Sequence, residues 1–264
     1  MNDLTLNIAG DSDTGRVREH NEDCIGMRPD LGFAVLADGM GGHRSGEVAS
    51  RIAVQSIDAE LMRALTETPL ASGVDDDGTE AVYLALNTVA QANTQVYQSA
   101  QTNPEHTGMG TTLVLALFAA SSVTIAHVGD SRAYRLRDSH LERLTHDHSM
   151  VEEAVRKGMF TLEEARRNVG KGIITRARGS EPDVDIDVQQ FKLRAGDIYL
   201  LCSDGLTDRV NDADLQTVLW EFRSNLDEAV RHLIALANTR GGHDNISVVL
   251  ARYQPPPVAS QTAG

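Results

Sequence analysis

LLCSDGLTD, residues 200–208, opens as an apolar strand and closes on two carboxylates. Leu200 and Leu201 are apolar and Cys202 is small; Asp204, Gly205 and Asp208 then break the pattern. FAVLADGMGG, residues 33–42, makes the same break at Asp38. Three further stretches put acids at strand ends or tight turns: NED with Glu22 and Asp23, GDS with Asp130, and GHDN with Asp244. Several of these acids sit beside glycine, where backbone can approach a ligand closely.

Taken singly, each acid reads as a helix cap or a turn residue. Taken together, Glu22, Asp23, Asp38, Asp130, Asp204, Asp208 and Asp244 read as one converging set. Carboxylates crowded into one space raise each other's pKa unless something compensates. Hard divalent cations are the natural compensation, because Mg²⁺ and Mn²⁺ prefer oxygen ligands in octahedral geometry. Two such ions about 4 Å apart can share a hydroxide and polarise a phosphoryl group.

Competing motifs fail on their own terms. A P-loop needs Lys-Ser/Thr after its last glycine, and Glu47 follows Gly46. DSDTG, from Asp11, begins like a calcium loop, but Gly15 replaces an oxygen ligand and Arg16 the required glycine. A cysteine-nucleophile phosphatase wants Arg six residues after Cys, where Asp30 and Asp208 stand. The HDH triplet, His146 to His148, offers two imidazoles on one strand face, yet no third His or Cys lies near it in sequence, so it reads as a surface turn.

The bulk numbers bound the rest. The 264-residue chain can bury a substantial core, as one large domain or two small ones. Its net charge of −14 argues against nucleic acid or an anionic membrane surface as partner. No apolar run approaches the ~20 residues that span a bilayer, no secretory signal is visible at the N-terminus, and Cys24 and Cys202 give no disulfide framework. The expectation is a cytoplasmic protein.

Periodicity predicts strands at 4–10, 33–37, 111–119, 122–128, 132–137 and 140–144, with Asp138-Ser139 turning the last pair. A helix over about 46–65, capped by Ser45, and a second over about 79–101 flank the loop-like stretch 68–78. Two short helices fit 149–168, the second opened by the capping box Thr161–Glu164. The alternating DVDIDVQQF, 183–191, predicts a strand with Val184, Ile186 and Val188 inward. Helices at about 212–222 and 226–239 precede a closing strand, 245–253, and residues 254–264 read as a disordered tail. Hairpin-like strand runs kept apart from long helices favour an α+β fold over a parallel array.

In this order, VREHNED, LADGMGGHRSGEVAS, GMGTTLV, AHVGDSRAYRL, LTHDHS, ITRARG, LLCSDGLTD and GGHDNISVV resemble the metal-dependent serine/threonine protein phosphatases of the PPM, or type 2C, family in their compact bacterial form. The resemblance covers about residues 6–252 and implies a four-layer αββα sandwich with two central antiparallel sheets, one catalytic domain over 1–253. It implies that Asp38 bridges two metals, that the Gly39 carbonyl joins it on the second, and that Asp204 and Asp244 bind the first. Glu22 and Asp23 match acids that hold metal-bound waters, and Arg18 matches the phosphate-binding arginine. Asp130 and Asp208, with Asp204, match a third, weaker site. Residues 146–180 match the flap beside the active site. The implied cofactor is Mn²⁺ or Mg²⁺; the implied reaction is hydrolysis of phosphoserine and phosphothreonine by a metal-bridged hydroxide, against a cognate Ser/Thr kinase. A phosphoprotein-binding module without turnover and a phosphatase of small phosphorylated metabolites are the alternatives. The chain departs from the pattern at Met40, where many eukaryotic relatives carry a histidine proposed to protonate the leaving group, and at RRNVGKG, residues 166–172, where relatives carry His-Pro. A metal-bound water or His43 is the substitute acid to consider.

Overall fold

The computed structural model describes residues 5–41, 45–68, 70, 79–168 and 184–254. In chain order the strands are β1 (Thr5–Asp13), β2 (Asp23–Arg28), β3 (Phe33–Met40), β4 (Gly110–Thr111), β5 (Leu113–Phe118), β6 (Ser122–Val128), β7 (Arg132–Arg137), β8 (His140–Arg143), β9 (Asp187–Lys192), β10 (Ile198–Cys202) and β11 (Ile246–Gln254). The helices are α1 (Ser45–Glu67), α2 (Thr79–Thr102), α3 (Met150–Arg156), α4 (Leu162–Asn168), α5 (Asp204–Thr207), α6 (Asp212–Glu221) and α7 (Leu226–Thr239).

One sheet runs β1-β11-β10-β7-β8 and the other β2-β3-β5-β6-β9, with β4 paired to β3. Every pairing is antiparallel. The central strands are apolar on both faces because both faces are covered. In β3, Phe33, Val35 and Ala37 pack with α1 and α2, whereas Ala34 and Leu36 point to the other sheet. In β10, Ile198, Leu200 and Cys202 pack with α6 and α7, whereas Tyr199 and Leu201 face inward. Three apolar layers therefore separate four layers of structure, helix–sheet–sheet–helix, as expected. Among the described residues no helix is long and apolar enough to cross a membrane.

Most predicted elements stand within a few residues of their expected bounds, and the departures have local causes. Strand β3 does not stop at Ala37: it carries Asp38 inside it and continues to Met40, because Glu22, Thr111 and Thr112 supply backbone partners there. The strand expected at 111–119 is split at Thr112, whose N–H donates to the Asp38 carbonyl. The strand expected from 183 starts only at Asp187, where it meets His127 of β6. Strand β2 was not expected at all; its DCIGMR has no alternation to read. Ser45 is the first helical residue of α1 rather than its cap, and its hydroxyl donates to the Glu105 carbonyl. Asp138 and Ser139 both take positive φ and turn the β7–β8 hairpin, and Thr161 and Glu164 exchange capping bonds. The stretches 71–78, 169–180 of the flap and 255–264 of the tail, with His43, lie outside the described residues.

Candidate metal and phosphate site

The acids arrive from different elements at one edge of the sandwich. Asp23, first in β2, lies directly across from Asp38 in β3. Asp130 follows β6 at the turn into β7. Asp204 does not end a strand: β10 stops at Cys202, Ser203 caps, and Asp204 opens the one-turn helix α5 with Asp208 as its C-cap. That spacing puts the two acids on one side of a single helical turn. Asp244 precedes β11 in the loop after α7.

Backbone hydrogen bonds hold these pieces at close quarters. The Glu22 carbonyl accepts from Gly39 N–H at 3.1 Å and from the Ser50 hydroxyl at 2.6 Å. Asp38 N–H donates to Thr112 Oγ1 at 3.2 Å, and the Asp38 carbonyl accepts from Thr112 N–H at 2.8 Å. Both bonds spare the Asp38 side chain. A Cβ at Gly39 would meet the Gly46 carbonyl oxygen at 2.1 Å, and one at Gly205 would meet the Asn245 carbonyl oxygen at 2.0 Å. Glycine is the residue that fits at both contacts.

The side chains face one another's charge. Burial, then Asp23, Asp204, Asp130 and Asp244, push the Asp38 carboxyl well above the usual range. Burial, then Asp130, Asp244 and Asp208, raise Asp204 to about 8. Burial raises Asp23 and Asp130 to about 6, and raises Glu22 against the pull of Arg18. Asp23 Oδ2 accepts from the Ser247 hydroxyl at 2.6 Å, while Oδ1 is buried without a hydrogen-bond partner. Arg18 Nη2 donates to Asp244 Oδ2 at 2.7 Å, with both side chains partly exposed. A cavity of about 530 Å³ opens beside the cluster, with Asp130, Asp204 and Asp208 on its wall.

This donor set fits divalent cations: it is all oxygen, crowded with like charge, and holds a buried carboxylate oxygen with nothing to bond. Every acid predicted from sequence lies at this edge, and Arg18 meets Asp244 rather than Glu19 or Glu22. Sequence reasoning missed Asn245. It is buried, its Oδ1 accepts from Glu22 N–H at 2.9 Å, and its Nδ2 donates to the Thr14 and His20 carbonyls at 3.0 and 2.9 Å. The amide thus pins the loop that carries Arg18 and Glu22. Its one signal in sequence is its place between Asp244 and an apolar strand.

Residues 16–241 match the family model Protein phosphatase 2C. The chain belongs to the protein phosphatase 2C family. It is an enzyme of that class, and the PPM resemblance of its motifs extends to the whole fold. It is 40% identical over 242 residues to serine/threonine phosphatase stp of Listeria welshimeri, covering 90% of this chain and 92% of that protein. The crystal structure of the serine/threonine phosphatase PstP/Ppp of Mycobacterium tuberculosis superposes with a TM-score of 0.82 at 35% identity, covering 95% of this chain and 99% of the other. A PstP catalytic domain in complex with two manganese ions gives 0.79 at 36% identity, with the same coverage of 95% and 99%. PP2C phosphatases are metal-dependent enzymes, and the acid edge described above is where this chain offers oxygen ligands.

The HDH triplet is not the surface turn expected of it. His146 is exposed, but His148 is buried and stacks on His127, a partner that is distant in sequence.

Proposed function

We propose that this chain hydrolyses phosphoserine and phosphothreonine in proteins, with two Mn²⁺ or Mg²⁺ ions held by the acid edge. Asp38 would bridge both ions, with the Gly39 carbonyl on the second and Asp204 and Asp244 on the first. Glu22 and Asp23 would orient bound waters, and Asp130 and Asp208 with Asp204 would hold a third, weaker ion. When bound, the ions supply an activated water nucleophile and neutralise charge on the phosphoryl oxygens.

The observation that carries this reading is the field inside the cluster. Burial and neighbouring carboxylates push Asp38 well above the usual range and Asp204 to about 8, so the field disfavours their ionised forms when no cation is present. Ligation needs those ionised forms, so cation binding is linked to proton release. Arg18 serves the substrate. Its guanidinium, now on Asp244 and half exposed, can present a planar fork to two phosphate oxygens. Met40 has no proton to give the departing Ser or Thr oxygen. The wall of the cavity beside Asp208 is where the peptide around the phosphate would lie.

The ligand set is complete, which supports turnover over a silent phosphoprotein-binding role. The substrates would be phosphoproteins of the cytoplasm, opposed by a Ser/Thr kinase, and residues 1–253 would form one catalytic domain. The test is hydrolysis of an aryl phosphate and a phosphothreonine peptide with Mn²⁺, with Mg²⁺ and with EDTA. Both activities should need the metal and survive thiol alkylation. Full activity in EDTA overturns the reading; aryl phosphate turnover without peptide turnover points to small phosphorylated metabolites instead.

A further inference from the structure

His127 near the end of β6, His148 at the root of the flap and Asp187 at the start of β9 bring their donor atoms within 4.8 Å of one another. By composition this is a transition-metal site, but its geometry opposes ligation. The two imidazoles are stacked, with centroids 4.7 Å apart and planes at 25°, so their in-plane lone pairs do not aim at a common point. His127 Nε2 lies 2.9 Å from the His146 carbonyl, to which only N–H can bond. His148 Nδ1 accepts from Gly129 N–H at 3.2 Å. That bond puts the proton of a neutral His148 on Nε2, the nitrogen 3.3 Å from Asp187 Oδ2. Burial lowers His127 to about 4, so it stays neutral beneath its neighbour.

What His148 does hold is backbone. Its own N–H donates to the Gly129 carbonyl at 2.9 Å, so one residue grips both polar groups of Gly129. Gly129 has φ of +103°, and a Cβ there would lie 2.6 Å from Thr112 Cβ. The next residue is Asp130. We propose that His148, oriented by Asp187 and backed by His127, is a positioning residue: it fixes the Gly129–Asp130 turn and so sets where the Asp130 carboxylate stands relative to Asp204 and Asp208. This rests on the reading of Asp130 as an acid of the third metal site. It also makes the root of the flap part of that site's support, since His148 leads directly into α3 through Ser149.

The test uses the full chain and Mn²⁺, and reads the Mn²⁺ concentration that half-activates hydrolysis of a phosphothreonine peptide, with calorimetry for the tight ions. Asp130→Ala is the reference. His148→Leu fills the space without an acceptor and should raise the half-activating Mn²⁺ about three- to tenfold, the value of one buried hydrogen bond, while leaving the tight ions in place. His148→Asn sets Oδ1 where Nδ1 stands and should recover most of the loss. Equal loss of thermal stability in both variants with unshifted Mn²⁺ curves would mean a merely structural histidine and overturn the proposal. Should His148→Leu not fold, Asp187→Ala carries the test: a smaller shift in the same direction supports the proposal, and an unshifted curve overturns it. If Asp130→Ala leaves the curve unchanged, the reading of Asp130 falls and the proposal with it; if only the His148 variants do, the proposal falls alone. A tight Zn²⁺ site lost in Asp187→Ala would overturn it in favour of ligation.

Discussion

Strand β10 has an acid at each end, and the two live differently. Asp197, just before the strand, is buried and accepts from Arg137 Nε at 2.8 Å, from Arg137 Nη2, from Arg194 N–H at 2.9 Å and from the Tyr199 hydroxyl at 3.3 Å. Asp204, just after the strand, has no arginine or lysine on it among the described residues; its charged neighbours are Asp130, Asp244, Asp208 and Asp23. A buried acid that serves the fold arrives with its cation in the same chain. A buried acid without one, on the proposed function, takes its cation from solution.

The largest effect expected of this contrast is catalytic. Asp38→Asn or Asp204→Asn should cut kcat on a phosphothreonine peptide by at least about a hundred- to a thousandfold, the scale of losing a preorganised charge-stabilising group. The EDTA-treated variant should melt no lower than the EDTA-treated wild type, because an acid whose ionised form burial and its neighbours disfavour is replaced by a neutral amide. Near-normal kcat for Asp38→Asn at saturating Mn²⁺ would break the comparison.

Asp197→Ala should do the reverse. It removes the buried carboxylate that accepts from Arg137, from Arg194 N–H and from the Tyr199 hydroxyl, and leaves partly exposed Arg137 with the Lys192 carbonyl. The lost hydrogen bonds cost about 1–3 kcal/mol of stability. Denaturant unfolding of the Mn²⁺-loaded protein should show that loss while kcat stays near wild type. A kinetic defect without a stability defect would erase the distinction between the two ends of β10.

Much of this was legible because seven acids in turn contexts, several beside glycine, point to one use when taken together although each alone reads as a cap or a turn. The eight ordered motifs made the acids recognisable, and the apolar run LVLALF marked the strand that became β5, which the structure covers on both faces. What escaped had no local signal. The turn chemistry of Asp138-Ser139 could be read, but β2 could not, since its six residues are all half-buried and none marks a face. The acids of SDGLTD were legible as ligands but not as a helical turn, because four residues carry too little periodicity. His148 was misread because its partners, His127 and Asp187, come from strands on either side of it in sequence. The role of Asn245 depends on three carbonyl and amide groups from a loop more than two hundred residues away.

Arg18 sharpens the comparison from the cation's side, since its partner Asp244 is partly exposed where Asp197, the partner of Arg137, is buried. An exposed pair of this kind adds little stability. A phosphate gripped in both ground and transition state puts most of the arginine's value into KM. Arg18→Ala should lower kcat/KM by about ten- to 150-fold, largely through KM, and Arg18→Lys should recover part of it. Unchanged KM in Arg18→Ala would return the residue to the surface.

The smallest effect is the one that reads the cluster with no substrate present. In the metal-free protein Asp204 titrates near 8 and Asp23 and Asp130 near 6, against an ordinary value of 3.8. A folded state that holds protons more tightly than the unfolded chain is stabilised wherever those protons are bound. The contribution is therefore fully present below about pH 4, and it is lost as pH rises through 6 and then 8. Between pH 5.5 and 8.5 the EDTA-treated wild type should lose several degrees of Tm. Asp204→Asn, which no longer titrates at that position, should lose less over the same range. Mn²⁺ should flatten the wild-type slope, because an occupied site prefers the carboxylates ionised. Asp197→Ala in EDTA leaves the acid cluster untouched, so it should keep the wild-type slope while melting lower throughout. Equal slopes for wild type and Asp204→Asn would mean that Asp204 is not held in the field of its neighbours, and that the two ends of β10 differ in sequence only.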